Sequence, residues 1–215
     1  MRIIQRVVVV GVLLTLFLAV ALLTYAKELE HDVRKVIRAS HELSQRESPP
    51  TLDDIRQRFG TQLKQSGACA RSGCEYEVKL SNELLSKLHL SPYTALRSSF
   101  WVRDNVLEEN VLEVWTVSKG GGMMGAYVDA KYCEQCNESD IVPCVGTAAS
   151  VKSGAVRIGA RAVSAADRQA AFGFNAGCFS SVQGCASVAE LLPSVWGTRS
   201  DGILQCKSFG PSGKP

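Results

Sequence analysis

VVVVGVLLTLFLAVALLTYA, Val7 to Ala26, is twenty residues without a charge. At about 1.5 Å of helical rise per residue it measures roughly 30 Å, the thickness of a bilayer's hydrocarbon core. Arg2 and Arg6 are the only charges before it, whereas Lys27, Glu28, Glu30, Asp32, Arg34 and Lys35 follow with both signs mixed. A short basic N-terminal flank is retained in the cytoplasm. The pattern therefore predicts a cytoplasmic N-terminus over 1–6 and a transmembrane signal-anchor helix in the lipid bilayer over 7–26. The remainder is expected outside the cytoplasm, in a single-pass protein of the cell membrane. A cleaved signal peptide is the competing reading, but its apolar region usually spans about 7–15 residues, and Thr24 with Ala26 makes only a passable cleavage site. A buried helix of a soluble core fits poorly with twenty charge-free residues beside a basic terminus. No cysteine lies near the end of the run, which excludes a lipidated N-terminus there.

Cysteine usage points to the same compartment. Cys69, Cys74, Cys133, Cys136, Cys144, Cys178, Cys185 and Cys206 all follow the apolar run, and their number is even. In an exported domain all eight are disulfide candidates. Local spacing suggests two pairs, Cys69 with Cys74 and Cys178 with Cys185. Cys133, Cys136 and Cys144 are left with Cys206, which is expected to tie the C-terminus to their loop. Setting aside Arg2 and Arg6 leaves 22 basic and 21 acidic residues, a balance that gives no footprint for nucleic acid.

Residues 27–47 have a helical pattern. Leu29, Val33, Val36, Ser40 and Leu43 recur at spacings of a coiled-coil seam, and Glu30–Arg34 and Glu42–Arg46 are favourable i,i+4 pairs. This segment is read as a helical stalk leaving the membrane. It either lies on the surface of the domain or of the membrane or self-associates through the seam, and it offers a possible contact for a protein partner. Ser48-Pro49-Pro50 ends the helix and forms a linker over 48–50, because proline lacks the N–H and restricts the residue before it. A separate domain is then expected over 51–206, followed by a disordered tail over 207–215.

Within that domain Thr51 can cap a helix reaching Ser66, with Asp53 and Asp54 in its first turn, an apolar stripe of Leu52, Ile55, Phe59 and Leu63, and Gly67 as its stop. CEYEVKL (74–80) alternates Tyr76, Val78 and Leu80 against Glu75, Glu77 and Lys79, the signature of a half-buried strand. A short helix is expected over 82–89. Strands follow over 99–107 and 110–118, with a turn near 108–110 and Trp101 and Trp115 as a cross-strand pair. A strand over 125–132 and an edge strand over 155–163 complete the sheet. Ser164 with Asp167, and Ser187 with Glu190, are capping signatures for short helices. The fold class is α+β, an antiparallel sheet packed by a helix and stapled by disulfides, behind a transmembrane helix and stalk.

Few residues invite catalysis. His31 and His41 lie in the stalk, and His89 ends a leucine-rich helix. One histidine cannot build a His-rich zinc site, and the chain has no G-x-S-x-G elbow. Gly120-Gly121-Gly122 lacks the Lys-Ser/Thr and capped helix of a phosphate-binding loop. Cys133-Glu-Gln-Cys136 has the spacing of a redox dithiol or half a zinc knuckle. Four acids nearby would raise a thiol pKa, however, and no second pair is matched to it, so structural disulfides are the simpler reading. Asn137-Glu138-Ser139 is a glycosylation tripeptide, relevant only in a eukaryotic source. The tryptophans, Trp101, Trp115 and Trp196, are read as core. Pilin-like subunits also run an apolar helix into a sheet domain, but this run contains no glutamate and no Gly-Phe precedes it.

The composition and motifs together predict a membrane-anchored, extracytoplasmic binding or assembly module without catalysis, cofactor or metal. The alternatives are a thiol–disulfide exchange enzyme using Cys133 and Cys136, or a structural subunit of an envelope or surface complex.

Overall fold

The computed structural model describes residues 2–70, 73–117, 123–131, 154–159, 169–198 and 204–206. One continuous helix, α1 (Arg2–Ser44), carries both the apolar run and the expected stalk. Its first half is exposed along the apolar run, as a lipid-facing segment would be. Its second half enters the hydrophobic core. Leu29, Val33, Val36, Ile37 and Leu43 are buried there against sheet residues.

The expected division into a stalk over 27–47, a linker over 48–50 and a domain from 51 is corrected by this packing. The stripe with coiled-coil spacing is real, but its partner is the chain's own sheet. Ser40, the polar position in the stripe, explains the preference. Its hydroxyl lies 2.9 Å from the Ser98 hydroxyl, and its carbonyl accepts a 3.4 Å hydrogen bond from Asn110 Nδ2. All three residues are buried, so each needs the others to replace water. The segment after α1 is also tied down, since the Leu107 N–H donates to the Pro50 carbonyl and the Leu52 N–H to that of Asn105.

A six-stranded sheet carries the rest, in the order β1 (Lys64–Gln65), β2 (Cys74–Ser81), β3 (Thr94–Arg103), β4 (Val106–Val117), β5 (Met123–Lys131) and β6 (Gly154–Gly159). The first five pair antiparallel, as the alternating patterns predict. At the edge, β6 runs parallel to β5, a departure from the all-antiparallel expectation. Pairing β6 this way requires the chain to return from the far end of β5, which the long connection between them permits. A separate antiparallel pair joins β7 (Trp196–Thr198) to β8 (Leu204–Cys206). The helices beside the sheet are α2 (Leu52–Phe59), α3 (Glu83–Lys87) and α4 (Val188–Leu191). The architecture is α+β.

Helix α2 begins where its sequence says. The Asp54 N–H donates to Thr51 Oγ1 and the Thr51 N–H to Asp54 Oδ2, a reciprocal cap. It ends at Gly60, seven residues before the expected stop. Gly60 takes φ 53°, accessible to glycine, and Lys64 then pairs with Glu77 as strand. The β3–β4 turn also moves. Asp104 and Asn105 both have positive φ, 49° and 66°, the geometry of a two-residue hairpin. Trp101 therefore faces Glu109 and Trp115 faces Ala95. The two tryptophans lie six residues apart in register, about 20 Å along the strands, and form no pair.

Alternation along the strands sorts the two faces. Val78, Leu96, Phe100, Leu112, Val114, Ala126 and Val128 line the core face, with α1 packed over β2 to β4 and α4 over β5. A second polar cluster closes the end of the sheet where β3 starts. Buried Asn82 accepts from the Thr94 N–H at 2.8 Å and donates to the Phe179 carbonyl at 3.3 Å. It thus joins α3's start to a helical turn over Ala176–Phe179.

Candidate functional surface

The face opposite the core is built from the odd-numbered positions of β2 to β5. Glu75, Glu77 and Lys79 lie on β2, Arg97, Ser99 and Trp101 on β3, Val111, Glu113 and Trp115 on β4, and Tyr127 on β5. Most of these side chains are half-buried. Trp101 and Trp115, expected in the core, belong to this face. A tryptophan covers its neighbours on either face, so its size alone does not tell core from surface.

Arg97 is the hub. Its Nη2 donates to Glu75 Oε1 at 2.7 Å and its Nε to Glu77 Oε2 at 2.9 Å. Lys79 Nζ sits 2.7 Å from the other Glu77 oxygen. Burial pushes the Glu77 carboxyl up, but the hydrogen bond from Lys79 and the charges of Lys79 and Arg97 outweigh it and hold the group below the usual glutamate range. Glu113, opposite Arg97 in register, is treated differently. Burial raises its pKa; Arg97 offsets this in part, and Glu75 adds to the rise. The guanidinium is engaged by Glu75 and Glu77, leaving Glu113 as a desolvated carboxyl outside that network. Ser99 Oγ, between Glu77 and Val111, is buried without a hydrogen-bond partner among the described residues.

Two local features hold the aromatic groups. The Tyr127 ring folds over Gly125, where an added Cβ would lie 3.2 Å from it. The Trp101 indole packs on Gly73, at the base of the Cys69–Cys74 loop. That disulfide, with Cα atoms 4.4 Å apart, therefore supports one edge of the face.

The cysteine expectations divide. Cys69 pairs with Cys74, and Cys178 with Cys185 at a Cα separation of 5.1 Å, both as local spacing suggests. Cys133, Cys136 and Cys144 lie outside the described residues. So do residues 207–215, expected as a disordered tail, the glycine triplet, the glycosylation tripeptide and the first of the two late capping signatures. Cys206 lies in β8 opposite Trp196. The Ser187 signature is present, with the Glu190 N–H donating to Ser187 Oγ at 3.2 Å.

His89 is exposed at φ 56° beside a cavity of about 350 Å³ that Ser91, Tyr93 and Val182 help to line. Ser91 Oγ there donates to the Ser181 carbonyl, so its proton is already committed. No group of three His, Cys, Asp or Glu side chains could hold a metal among the described residues.

The sequence patterns single out cysteines and histidines and pass over Arg97, Glu113 and Tyr127. The available signal was a charge in mid-strand: Arg97 between Ala-Leu and Ser-Ser-Phe, and Glu113 between Val-Leu and Val-Trp. The α1 helix is long and apolar enough to cross a membrane. Compared with protein-family models, curated proteins and solved structures, the chain matches none.

Proposed function

We propose that the chain is a single-pass, membrane-anchored binding module whose domain lies outside the cytoplasm and receives a protein partner on the outer sheet face. The observation that carries this reading is Glu113, a desolvated carboxyl set among Trp115, Tyr127 and an Arg97 already paired elsewhere. Tryptophan, tyrosine and arginine are the residues enriched in binding hot spots, and here they surround a half-buried carboxyl. The chemistry favours a partner that brings a lysine or arginine to Glu113 and an apolar surface to the rings. Orientation follows from Arg2 and Arg6 before the apolar run, and the compartment agrees with the two disulfides.

The test is photo-crosslinking in the native membrane, with a photoreactive side chain replacing Val111 or Tyr127 and, as a control, Arg56 on α2. A discrete protein adduct from the two sheet positions, absent from the control and lost on Glu113→Lys, supports the proposal. Equal labelling from all three positions, or none from the sheet, overturns it.

A further inference from the structure

We propose that the membrane-proximal end of the domain, presenting Leu84, Leu88, Leu90, Met123 and Val182, rests in the interfacial layer of the same bilayer that α1 crosses. The inference rests on α1 remaining in the membrane.

Direction comes first. Along α1, Glu30 is bonded to Ser180, whose Oγ donates to Glu30 Oε2 at 2.9 Å, while Ser40 reaches Ser98 and Asn110. The helix therefore runs from the end of the sheet where β3 starts toward the Asp104–Asn105 hairpin. The apolar run lies beyond the β3-start end.

Height comes next. Ala26 closes the apolar run and is already buried in the protein. Glu30 stands four residues later, about 6 Å along the helix axis. Val182 is two residues past Ser180, a reach of at most about 7 Å. No spacer holds the domain away from the lipid, and the loop containing Val182 is within reach of the level where the apolar run ends.

Composition agrees with that height. Beyond α1, six large hydrophobic side chains are exposed among the described residues, and only Val106 lies at the opposite, hairpin end. Val182 is 71% exposed and Met123 64%. Leu84, Leu88 and Leu90 flank or belong to α3, which follows β2 into this end, and Met123 opens β5 beside Val117. The Ser91–Ser181 hydrogen bond and the contact of Gly184 with Pro92 lock the Val182 loop to the α3 segment. The Cys178–Cys185 disulfide closes that loop. Exposed leucine, methionine and valine in water would be an aggregation liability, but in the headgroup–acyl boundary they are buried.

The experiment uses the full chain reconstituted into phosphatidylcholine vesicles, with an environment-sensitive fluorescent side chain replacing Val182, Leu88, Asp104 or Val20 in turn. All four positions are exposed, so no buried contact is lost, and the strain of another residue at φ 49° in position 104 is confined to the hairpin, far from the membrane-proximal end. Phosphatidylcholine spin-labelled near the headgroup or deep in the acyl chain is the quencher. The proposal expects the probes at 182 and 88 to lose most of their fluorescence to the shallow label and less to the deep one. The probe at 104 should be unaffected by either, and the probe at 20 should respond to the deep label. Unquenched probes at 182 and 88 with a quenched probe at 20 overturn the proposal and leave the anchor standing. An unquenched probe at 20 overturns the anchor beneath it. Blue-shifted but unquenched probes at 182 and 88, dependent on protein density, would mean that a second copy covers this end, which also overturns the proposal.

Discussion

Leu43→Ala tests whether the second half of α1 belongs to the folded unit. Leu43 lies two turns beyond Val36 on the same stripe and is fully buried in the shared core. The substitution removes three carbons, about 2.4 kcal/mol at roughly 0.8 kcal/mol per buried methylene. If about 50 Å³ of cavity survives relaxation, a further ~1.2 kcal/mol follows at about 24 cal/mol per Å³. The sum, about 3.6 kcal/mol, lies within the usual range of about 2–5 for such truncations. For a domain of this size each kcal/mol lowers the melting temperature by roughly 2–4 °C, so a fall of about 7–14 °C is expected. Tryptophan fluorescence of the full chain in nanodiscs follows the transition, since Trp101 and Trp115 lie on the sheet. Leu16→Ala, in the exposed apolar run, serves as the control and should leave the domain's melting temperature unchanged. A shift of less than about 2 °C for Leu43→Ala would refute the packing argument, because a stalk free of the sheet has nothing to lose. A chain truncated to begin at Pro49 should aggregate where the large shift is seen, as the face that Val33, Val36 and Leu43 cover would be bare.

Four other outcomes follow from the geometry. Thr51→Ala removes the acceptor for the Asp54 N–H and should cost about 1 kcal/mol in chemical denaturation at neutral pH. The Asp54 carboxyl, held down to about 2 first by the backbone hydrogen bond from Thr51, then by the Thr51 side chain and Arg46, contributes stability that is complete above the ordinary aspartate range near pH 4. That contribution is lost as pH falls toward about 2, so the acid limb of a stability–pH profile should flatten in Asp54→Asn. Glu113 has the opposite sign: its carboxyl is raised, so ionisation above that pKa opposes folding, and Glu113→Gln should raise the melting temperature at pH 7, with the gain vanishing below about pH 4. Replacing Cys178 and Cys185 together by alanine opens a loop of sequence separation 7 and should cost about 2.5 kcal/mol by chain entropy, read from denaturation midpoints.

Properties carried by neighbouring residues are legible along the chain: the length of the uncharged run from Val7 to Ala26, the Thr51–Asp54 cap, the alternation from Cys74 to Ser81, and the two cysteine pairs closed by short loops. Each depends on rise per residue, local hydrogen bonds or loop reach, and all of these are written along the chain. The tertiary structure decided what each pattern faces. The stripe of Leu29, Val33, Val36, Ser40 and Leu43 is the same string whether it meets a second copy or a sheet; only the placement of Ser98 and Asn110 beneath Ser40 selects the sheet. The hairpin at Asp104–Asn105 needed the two residues that tolerate positive φ, and once it was set, the register separated Trp101 from Trp115. The parallel pairing of β6 with β5 and the convergence of Arg97, Glu75, Glu77 and Glu113 come from residues 16 to 38 positions apart in the chain meeting side by side. Nothing local encodes such a meeting, because cross-strand contact depends on register, and register is set by turns and by the core face that must be buried.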